Sequence, residues 1–313
     1  MENDVQPSGS SNFEPRGGVV AIGNFDGVHR GHQQIFQELV RQARAARVPA
    51  VALTFDPPPV AILAPDKAPP LLTTSNDKVR LIRACGVDAV IVYPTDRALL
   101  ELGPAEFFQT IILGRLHAYG LVEGANFCFG RGRSGTVETL KELCRAADRT
   151  MTVVDYVTRS DTAGQTISSS AIRDAIRRGD LVTATAMLGR PYHLTGTVVP
   201  GASRGRTLGF PTANLDEIRT MLPPEGVYGG RCEVDGRKYA AAVNLGPNPT
   251  FGELARKVEV HLLDFTGDLY GQTLSLDWLT RVRATQKFHS VTELREQLAR
   301  DIAAVRKFVG VTA

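Results

Sequence analysis

Two histidines three residues apart are the first side chains in the sequence that could do chemistry. His29 and His32 close the segment GNFDGVHRGH, residues 23–32, which follows a short apolar run and precedes apolar residues at helical spacing. A glycine-rich turn between a strand and a helix directs backbone N–H groups and the positive end of the helix dipole at one point. Both imidazoles can face that point and donate hydrogen bonds to phosphate oxygens. The other residues assigned to this phosphate site are Gly23, Asn24, Asp26 and Gly31.

A second segment with the composition of a phosphate site is GTVVPGASRGRTLGFPTANL, residues 196–215. Its glycines and arginines lead into Thr212 and Asn214, whose neutral oxygens suit a Mg²⁺ ion that nucleotide phosphates largely hold. The sequence has no P-loop, G-x-x-x-x-G-K-[ST]. An ordinary glycine-rich hairpin is the alternative that these residues alone leave open. The residues assigned to this phosphate site are Gly205, Arg206, Thr212 and Asn214, the last two also as metal ligands.

The elements that position the histidines lie in residues 18–188. Short apolar runs such as GVVAIG, AVALTF and DAVIVYP alternate there with stretches of helical periodicity. Alternation of this kind predicts right-handed β-α-β crossovers and a parallel sheet, hence an α/β domain. Ligands bind outside the carboxyl ends of the strands in such sheets, and the histidine segment comes at one of those ends.

The sequence pattern changes in residues 189–313, where short β-type runs are separated by Gly, Pro, Asp and Asn. This pattern predicts an antiparallel barrel or sandwich. Asp235-Gly236 indicates a tight hairpin. Ser290 and Glu293 form a capping box before a C-terminal amphipathic helix, for which Gly310 is the expected stop. Residues 1–17 are polar and predict a disordered tail.

Composition sets limits on the class of protein. A chain of 313 residues predicts about two domains, and the net charge of +3 argues against a nucleic-acid partner. No apolar run approaches the roughly 18 residues that span a bilayer, so no membrane association is expected. Four cysteines without C-x-x-C spacing indicate neither zinc nor disulfides. We expect a cytoplasmic protein and leave a homo-oligomer open.

One competing motif is G-x-G-x-x-G, formed by Gly130, Gly132 and Gly135, with Asp155 further along the chain. Alone it would predict a dinucleotide-dependent oxidoreductase. The motif follows the fourth predicted strand rather than the first, and this interpretation leaves GNFDGVHRGH unexplained. A phosphate-facing loop of the same nucleotide site accounts for both segments.

The string GNFDGVHRGHQ resembles the N-terminal half of bacterial bifunctional riboflavin kinase/FAD synthetases, which are H-x-G-H nucleotidyltransferases. LVEGANFCFGRGRSGT and ISSSAIRDAI match that family in order. The resemblance implies that His29 and His32 stabilise the charge that develops while FMN displaces pyrophosphate from ATP. It assigns the triphosphate to Ser168, Ser169 and Arg173, and the flavin to Asn126 and Phe127.

The C-terminal half resembles the riboflavin kinase fold, a small six-stranded barrel, through GFPTAN, PPEGVYGG and VEVHLLDF. The resemblance implies that Thr212 and Asn214 bind Mg–ATP. It also makes Glu259 the general base for the ribityl 5′-hydroxyl, and we expect its carboxylate to point into the barrel cavity. The implied function is phosphorylation of riboflavin to FMN and adenylylation of FMN to FAD, with ATP as co-substrate and Mg²⁺ as cofactor.

One departure from the family pattern bears on adenylyl transfer. The second strand ends in TFDPPP, and Pro58 stands where the family usually has histidine. This substitution keeps open a monofunctional riboflavin kinase with a degenerate N-terminal domain. A flavin- or nucleotide-binding regulator without turnover is the alternative from another functional class.

Overall fold

A computed structural model describes residues 16–155, 157, 166–201, 205, 209–248 and 253–309. The chain divides into two compact units, Met1–Ser169 and Ser170–Ala313. Arg206, Gly310 and residues 1–15 of the expected tail lie outside the described residues, whereas the Gly17 N–H donates to the Leu116 carbonyl at 2.9 Å. The predicted domain limits, 18–188 and 189–313, stay a prediction.

The first unit is built on a five-stranded parallel sheet in the order β3-β2-β1-β4-β5. Its apolar runs are buried between helices on both faces, as is typical of parallel sheets. The strand order reverses between β1 and β4, which makes their carboxyl ends the switch point where α/β sheets bind ligands. The strands are β1 (Val19–Ile22), β2 (Ala50–Asp56), β3 (Ala89–Pro94), β4 (Gly120–Gly124) and β5 (Thr150–Val154).

Helices cover both faces of this sheet. Helix α1 packs its apolar stripe on one face, and a second apolar cluster around Phe108 and Ile112 fills the other. The stretch PAEFFQTIILGRL, residues 104–116, predicts one continuous helix, but Phe108–Arg115 form a π-helix. The helices are α1 (Arg30–Ala46), α2 (Pro59–Leu63), α3 (Ser75–Ala84), α4 (Arg97–Glu101), α5 (Pro104–Phe107) and α6 (Val137–Ala146), with short 3₁₀ turns at Pro65–Lys67 and Arg131–Arg133.

The second unit is a closed six-stranded antiparallel barrel in the order β10-β7-β6-β11-β8-β9. The predicted α/β domain and antiparallel barrel with a C-terminal helix are therefore confirmed. Helix α8 packs against β6 and β11. The elements after β5 are α7 (Ser169–Arg177), α8 (Leu181–Leu188), β6 (Tyr192–Val199), β7 (Ala213–Asp216), β8 (Gly226–Val234), β9 (Arg237–Asn248), β10 (Glu253–Leu262), β11 (Thr273–Arg283) and α9 (Val291–Val309).

Local signals in the barrel unit form the structures they predict. Asp235 and Gly236, with φ angles of 50° and 76°, make the β8–β9 turn. The Ser290 hydroxyl accepts from the Glu293 N–H at 3.1 Å, which is one half of the predicted capping box. The Glu293 carboxylate accepts from the N–H of His289 rather than from that of Ser290. None of the helices in the described part of the chain is long and apolar enough to cross a bilayer.

Candidate active sites

The loop between β1 and α1 has an unusual backbone. Phe25 and Val28 adopt φ angles of 46° and 39°, a left-handed conformation that is costly for bulky and β-branched residues. Strain of this kind persists where surrounding contacts over-determine the loop, and it clusters at functional sites. Both side chains are buried and pack with the α1 face of the sheet. The loop therefore enters α1 in one fixed geometry.

His29 and His32 meet at the first turn of α1. Their rings stack, with centroids 3.6 Å apart and planes inclined by 19°. His29 is the N-cap, and its Nδ1 accepts from the His32 N–H at 3.4 Å. Because Nδ1 accepts, the proton of the neutral imidazole lies on Nε2, from which it can be donated. The first turn of α1, all of it described, has no acidic residue, so the arrangement suits an anion.

Asp26 is buried, and its carboxylate holds a neighbouring segment instead of pointing to solvent. It accepts hydrogen bonds from the Leu72 N–H, from the Thr73 N–H at 3.0 Å and from the Thr73 hydroxyl at 3.1 Å. The Ser169 hydroxyl donates to the Asp26 carbonyl at 2.9 Å. The sequence-predicted serine turn and histidine loop are thus brought together. Ser168 precedes α7, whereas Arg173 is buried on α7 within the second unit.

Lys78 is a buried cation that sequence reasoning missed. Its side chain on α3 is 4 % exposed, and Nζ donates to the Thr54 hydroxyl at 3.2 Å and to the Phe55 carbonyl at 3.3 Å. The Thr54 hydroxyl in turn donates to the Asn24 carbonyl. The ammonium is therefore linked through Thr54 to the loop that carries the histidines. Burial lowers the Lys78 pKa, and the charge of Asp26 opposes that shift. The only signal in the sequence was the spacing of Lys78 and Ile82 on one helix face.

The segment predicted to bind flavin leaves the end of β4. The Phe127 N–H donates to the Gly124 carbonyl at 3.0 Å, which closes a turn that carries Asn126. Phe127 is partly buried and stacks with Phe129 at 5.6 Å. The end of β4 also holds a fully buried acid, Glu123, whose pKa burial raises well above its ordinary value.

Pro58 lies just beyond the carboxyl end of β2, next to β1 in the sheet. It begins α2 as the N-cap residue without a side-chain hydrogen bond. The departure from the family pattern therefore falls at the edge of the sheet where ligands bind. The competing glycine motif forms a small loop after β4, in which Phe129 and Gly135 pair as an isolated bridge.

Glu259 on β10 lies between two asparagines on adjacent strands. It is directly opposite Asn214 on β7 and Asn244 on β9, and the Asn244 Nδ2 donates to its carboxylate at 3.4 Å. Its neighbours Val258 and Val260 are buried inside the barrel. Because side chains alternate along a strand, Glu259 lies on the outer face. The expectation that its carboxylate points into the barrel cavity is wrong.

Two glycines of the GTVVPGASRGRTLGFPTANL segment lie against the residues predicted to bind Mg–ATP. A Cβ on Gly201 would collide with the Asn214 amide, and one on Gly205 would lie 3.2 Å from the Thr212 hydroxyl and against the Phe210 carbonyl. Glycine leaves room for the backbone at such close approaches. Gly205, Thr212 and Asn214 therefore gather on the face that carries Glu259.

His261 is a second side chain on this face that sequence reasoning missed. It follows Glu259 by two residues, and its Nδ1 lies 2.7 Å from the Pro211 carbonyl. A carbonyl only accepts, so Nδ1 carries the proton and Nε2 is the acceptor in the neutral ring. The ring also meets Phe210 edge to face, with centroids 5.9 Å apart. Alternation within VEVHLL could have indicated that Glu259 and His261 share a face.

Comparison with known proteins covers both units. The family model for FAD synthetase matches residues 11–171, and that for riboflavin kinase matches residues 188–309. The bifunctional riboflavin kinase/FMN adenylyltransferase of Escherichia coli K12 is 37% identical over 297 residues, which cover 95% of this chain and 94% of the relative. The chain belongs to this family. The resemblance drawn from its motifs is confirmed.

A second curated relative and one solved structure are similar to this chain over nearly its whole length. The Bacillus subtilis protein is 37% identical over 289 residues, 90% of either chain. Among solved structures, a Streptococcus pneumoniae protein described as a macrolide-efflux protein is 35% identical, with a TM-score of 0.83 over 94% of this chain and 95% of its own. Both family domains are present here, which favours the bifunctional enzyme over the monofunctional kinase.

Proposed function

We propose that the barrel unit phosphorylates riboflavin to FMN with ATP and that the parallel-sheet unit adenylylates FMN to FAD and releases pyrophosphate. The observation that carries this proposal is the presence, in one chain, of a stacked histidine pair at a helix N-terminus and of a carboxylate between two asparagines on a barrel face. The first suits a triphosphate that is attacked at its inner phosphorus. The second suits removal of a proton from a hydroxyl.

In the parallel-sheet unit, a phosphate oxygen of FMN attacks the α-phosphorus of ATP, and the bond to pyrophosphate breaks. Negative charge grows on the oxygens around that phosphorus. The Nε2–H of His29 and the positive end of α1 stabilise this charge, and no covalent enzyme intermediate is needed. Asp26 acts by holding the loop, since its carboxylate already accepts from the Leu72 and Thr73 N–H groups.

In the barrel unit, Glu259 accepts the proton of the ribityl 5′-hydroxyl while that oxygen attacks the γ-phosphorus of ATP. The Asn244 Nδ2 donates to the Glu259 carboxylate and orients it on the barrel face. Phosphoryl transfer depends mainly on positioning and on electrostatic stabilisation. The close approach of Gly201 to Asn214 and of Gly205 to Thr212 provides the positioning for the nucleotide phosphates.

Mg²⁺ fits the residues on this face. The described residues hold no group of three His, Cys, Asp or Glu side chains that could bind a metal alone. The Thr212 hydroxyl and the Asn214 amide are oxygen donors beside the glycine-rich segment, and such donors suit an ion that nucleotide phosphates largely coordinate. When bound there, Mg²⁺ would neutralise charge on those phosphates. The substrates of the enzyme would be small molecules. Its cytoplasmic location and its assembly into a homo-oligomer stay predictions.

The proposal is tested by giving the purified chain riboflavin with Mg–ATP, and separately FMN with Mg–ATP, and by measuring FMN, FAD and pyrophosphate. Glu259→Gln should abolish riboflavin phosphorylation and leave FAD formation from FMN intact. Glu233→Gln, which removes an exposed carboxylate from another barrel strand, is the matched control.

The three functions give different products in this assay. FMN without FAD or pyrophosphate would indicate the monofunctional kinase that Pro58 keeps open. Tight nucleotide binding with ATP left intact would indicate a regulator. Formation of both FMN and FAD, with only FMN formation lost in the Glu259 variant, is the result we expect.

A further inference from the structure

Between β1 and β4, a side chain replaces a main-chain acceptor at the carboxyl end of the sheet. Along β1 and just beyond it, the Val19 and Gly23 N–H groups donate toward β2, to the carbonyls of Pro49 and Leu53. The intervening Ile22 N–H faces β4, because N–H directions alternate along a strand. It donates to Glu123 Oε1 at 2.7 Å rather than to a main-chain carbonyl of β4. A side chain thus takes the place of a ladder bond.

The hydrogen bond from Ile22 to Glu123 lies at the switch point of the sheet, between two segments of the adenylyl-transfer site. The loop with both histidines leaves β1 directly after Ile22. The turn with Asn126 leaves β4 directly after Glu123, and its Phe127 N–H bonds back to Gly124. The Glu123 carboxyl therefore ties together the two strand ends from which these segments depart.

Packing alone does not account for an acid at this position. Parallel strands covered on both faces are normally continuous apolar runs, and Val122 and Leu121 follow that rule. Glu123 is only 1 % exposed, and burial of a carboxyl costs free energy that valine or isoleucine would avoid. Burial raises its pKa and so favours the neutral acid, whose carbonyl oxygen accepts from Ile22. What the acid provides is a fixed spacing between the strand ends.

We propose that Glu123 is a positioning residue for adenylyl transfer, which sets the distance between the histidine loop and the Asn126 turn. The inference rests on the proposed function of this unit. Glu123 touches no substrate in this role and acts through the Ile22 N–H. Reacting groups must lie within a fraction of an ångström of their productive geometry, and a displacement of about 1 Å can cost about 10²-fold in rate.

The test compares three variants in FAD formation from FMN and ATP. Glu123→Val removes the acceptor and should lower kcat by about 10²-fold, with a smaller change in KM. Glu123→Gln keeps an amide oxygen for Ile22 and should retain kcat close to the wild-type value. Leu121→Val, a change of packing on the same strand, is the matched control and should also retain kcat. Riboflavin phosphorylation by the same chains should not change.

Two results would overturn the inference: a kcat for Glu123→Val equal to that of Leu121→Val, or an equal loss in Glu123→Gln. Far-UV circular dichroism and hydrogen exchange of the Gly23 amide, which donates to the Leu53 carbonyl of β2, check that the sheet is formed. If Glu123→Val does not fold, Glu123→Asp, which is shorter by one methylene, replaces it with the same two outcomes. A wild-type chain that makes no FAD would refute the proposed function instead, which keeps the two failures distinct.

Discussion

Replacement of His29 by asparagine separates the two roles of this residue. The imidazole caps α1 through Nδ1, and we propose that its Nε2–H donates to the triphosphate. Asparagine is among the best N-cap residues, so His29→Asn keeps the cap, while its shorter side chain no longer places a donor at the position of Nε2. His29→Ala removes both and is the companion variant.

The expected magnitudes follow from these two roles. Loss of one preorganised donor to developing negative charge costs about 10²–10³ in rate, or about 2.7–4 kcal/mol of transition-state stabilisation. Both variants should lose this much in FAD formation. The cap hydrogen bond is long, at 3.4 Å. We therefore place the further loss of stability in His29→Ala near the lower end for N-caps, about 0.5 kcal/mol.

The assay follows FAD and pyrophosphate from FMN and ATP, with riboflavin phosphorylation by the same chain as the internal control. Urea unfolding measured by far-UV circular dichroism gives the stability of each variant. A His29→Asn enzyme that forms FAD at the wild-type rate would refute the assignment of His29 as the phosphate donor. Equal loss of riboflavin phosphorylation would show that the substitution acts on the whole chain rather than on this site.

Three further predictions concern the packing around the sites. Asp301→Ala removes a buried carboxylate that accepts from Arg283 at 2.7 Å. It should lower the free energy of unfolding by about 3 kcal/mol, because the Arg283 charge loses its partner. Urea unfolding followed by the fluorescence of Trp278, the single tryptophan, measures this loss. In the wild type, the free energy of unfolding should fall by about 1.4 kcal/mol per pH unit above the ordinary pKa of 4.5, because folded Glu123 keeps a proton that the unfolded chain releases. Glu123→Gln should remove this pH dependence. Urea midpoints from pH 5 to pH 7 measure it. Gly201→Ala should displace the Asn214 amide and lower riboflavin phosphorylation by about 10²-fold, measured as FMN formed, with FAD formation from FMN unchanged.

Most of the fold could be predicted because periodicity reports burial directly. Apolar runs between helical stretches predicted the parallel strands, and the β-type runs YHLTGTVV and GVYGGRCEV coincide with β6 and β8. Strand β7 was missed, since its four residues, Ala213–Asp216, contain Asn and Asp and are held by pairing with β6 and β10. The π-helix at Phe108–Arg115 was missed as well, because a change in helical hydrogen bonding leaves little trace in composition.

The candidate sites divide in the same way. The histidine pair could be found because H-x-G-H combines chemistry with local spacing. Lys78 and Glu123 could not, since burial of a charged residue depends on which strands and helices the tertiary fold brings around it. The orientation of Glu259 was predicted wrongly although alternation held the answer: the valines on either side face the interior, so the acid faces outward.

Closure of the barrel has a consequence for how the chain acquires activity. Asn214, Asn244 and Glu259 come from β7, β9 and β10, and β10 aligns them by pairing with both of the other strands. β7 and β10 are far apart in sequence, and such non-local pairings form slowly during folding. A folding intermediate in which β7 and β10 are not yet paired would have near-native secondary structure but no kinase activity. In a refolding experiment, recovery of FMN synthesis should therefore not precede the pairing of β7 with β10.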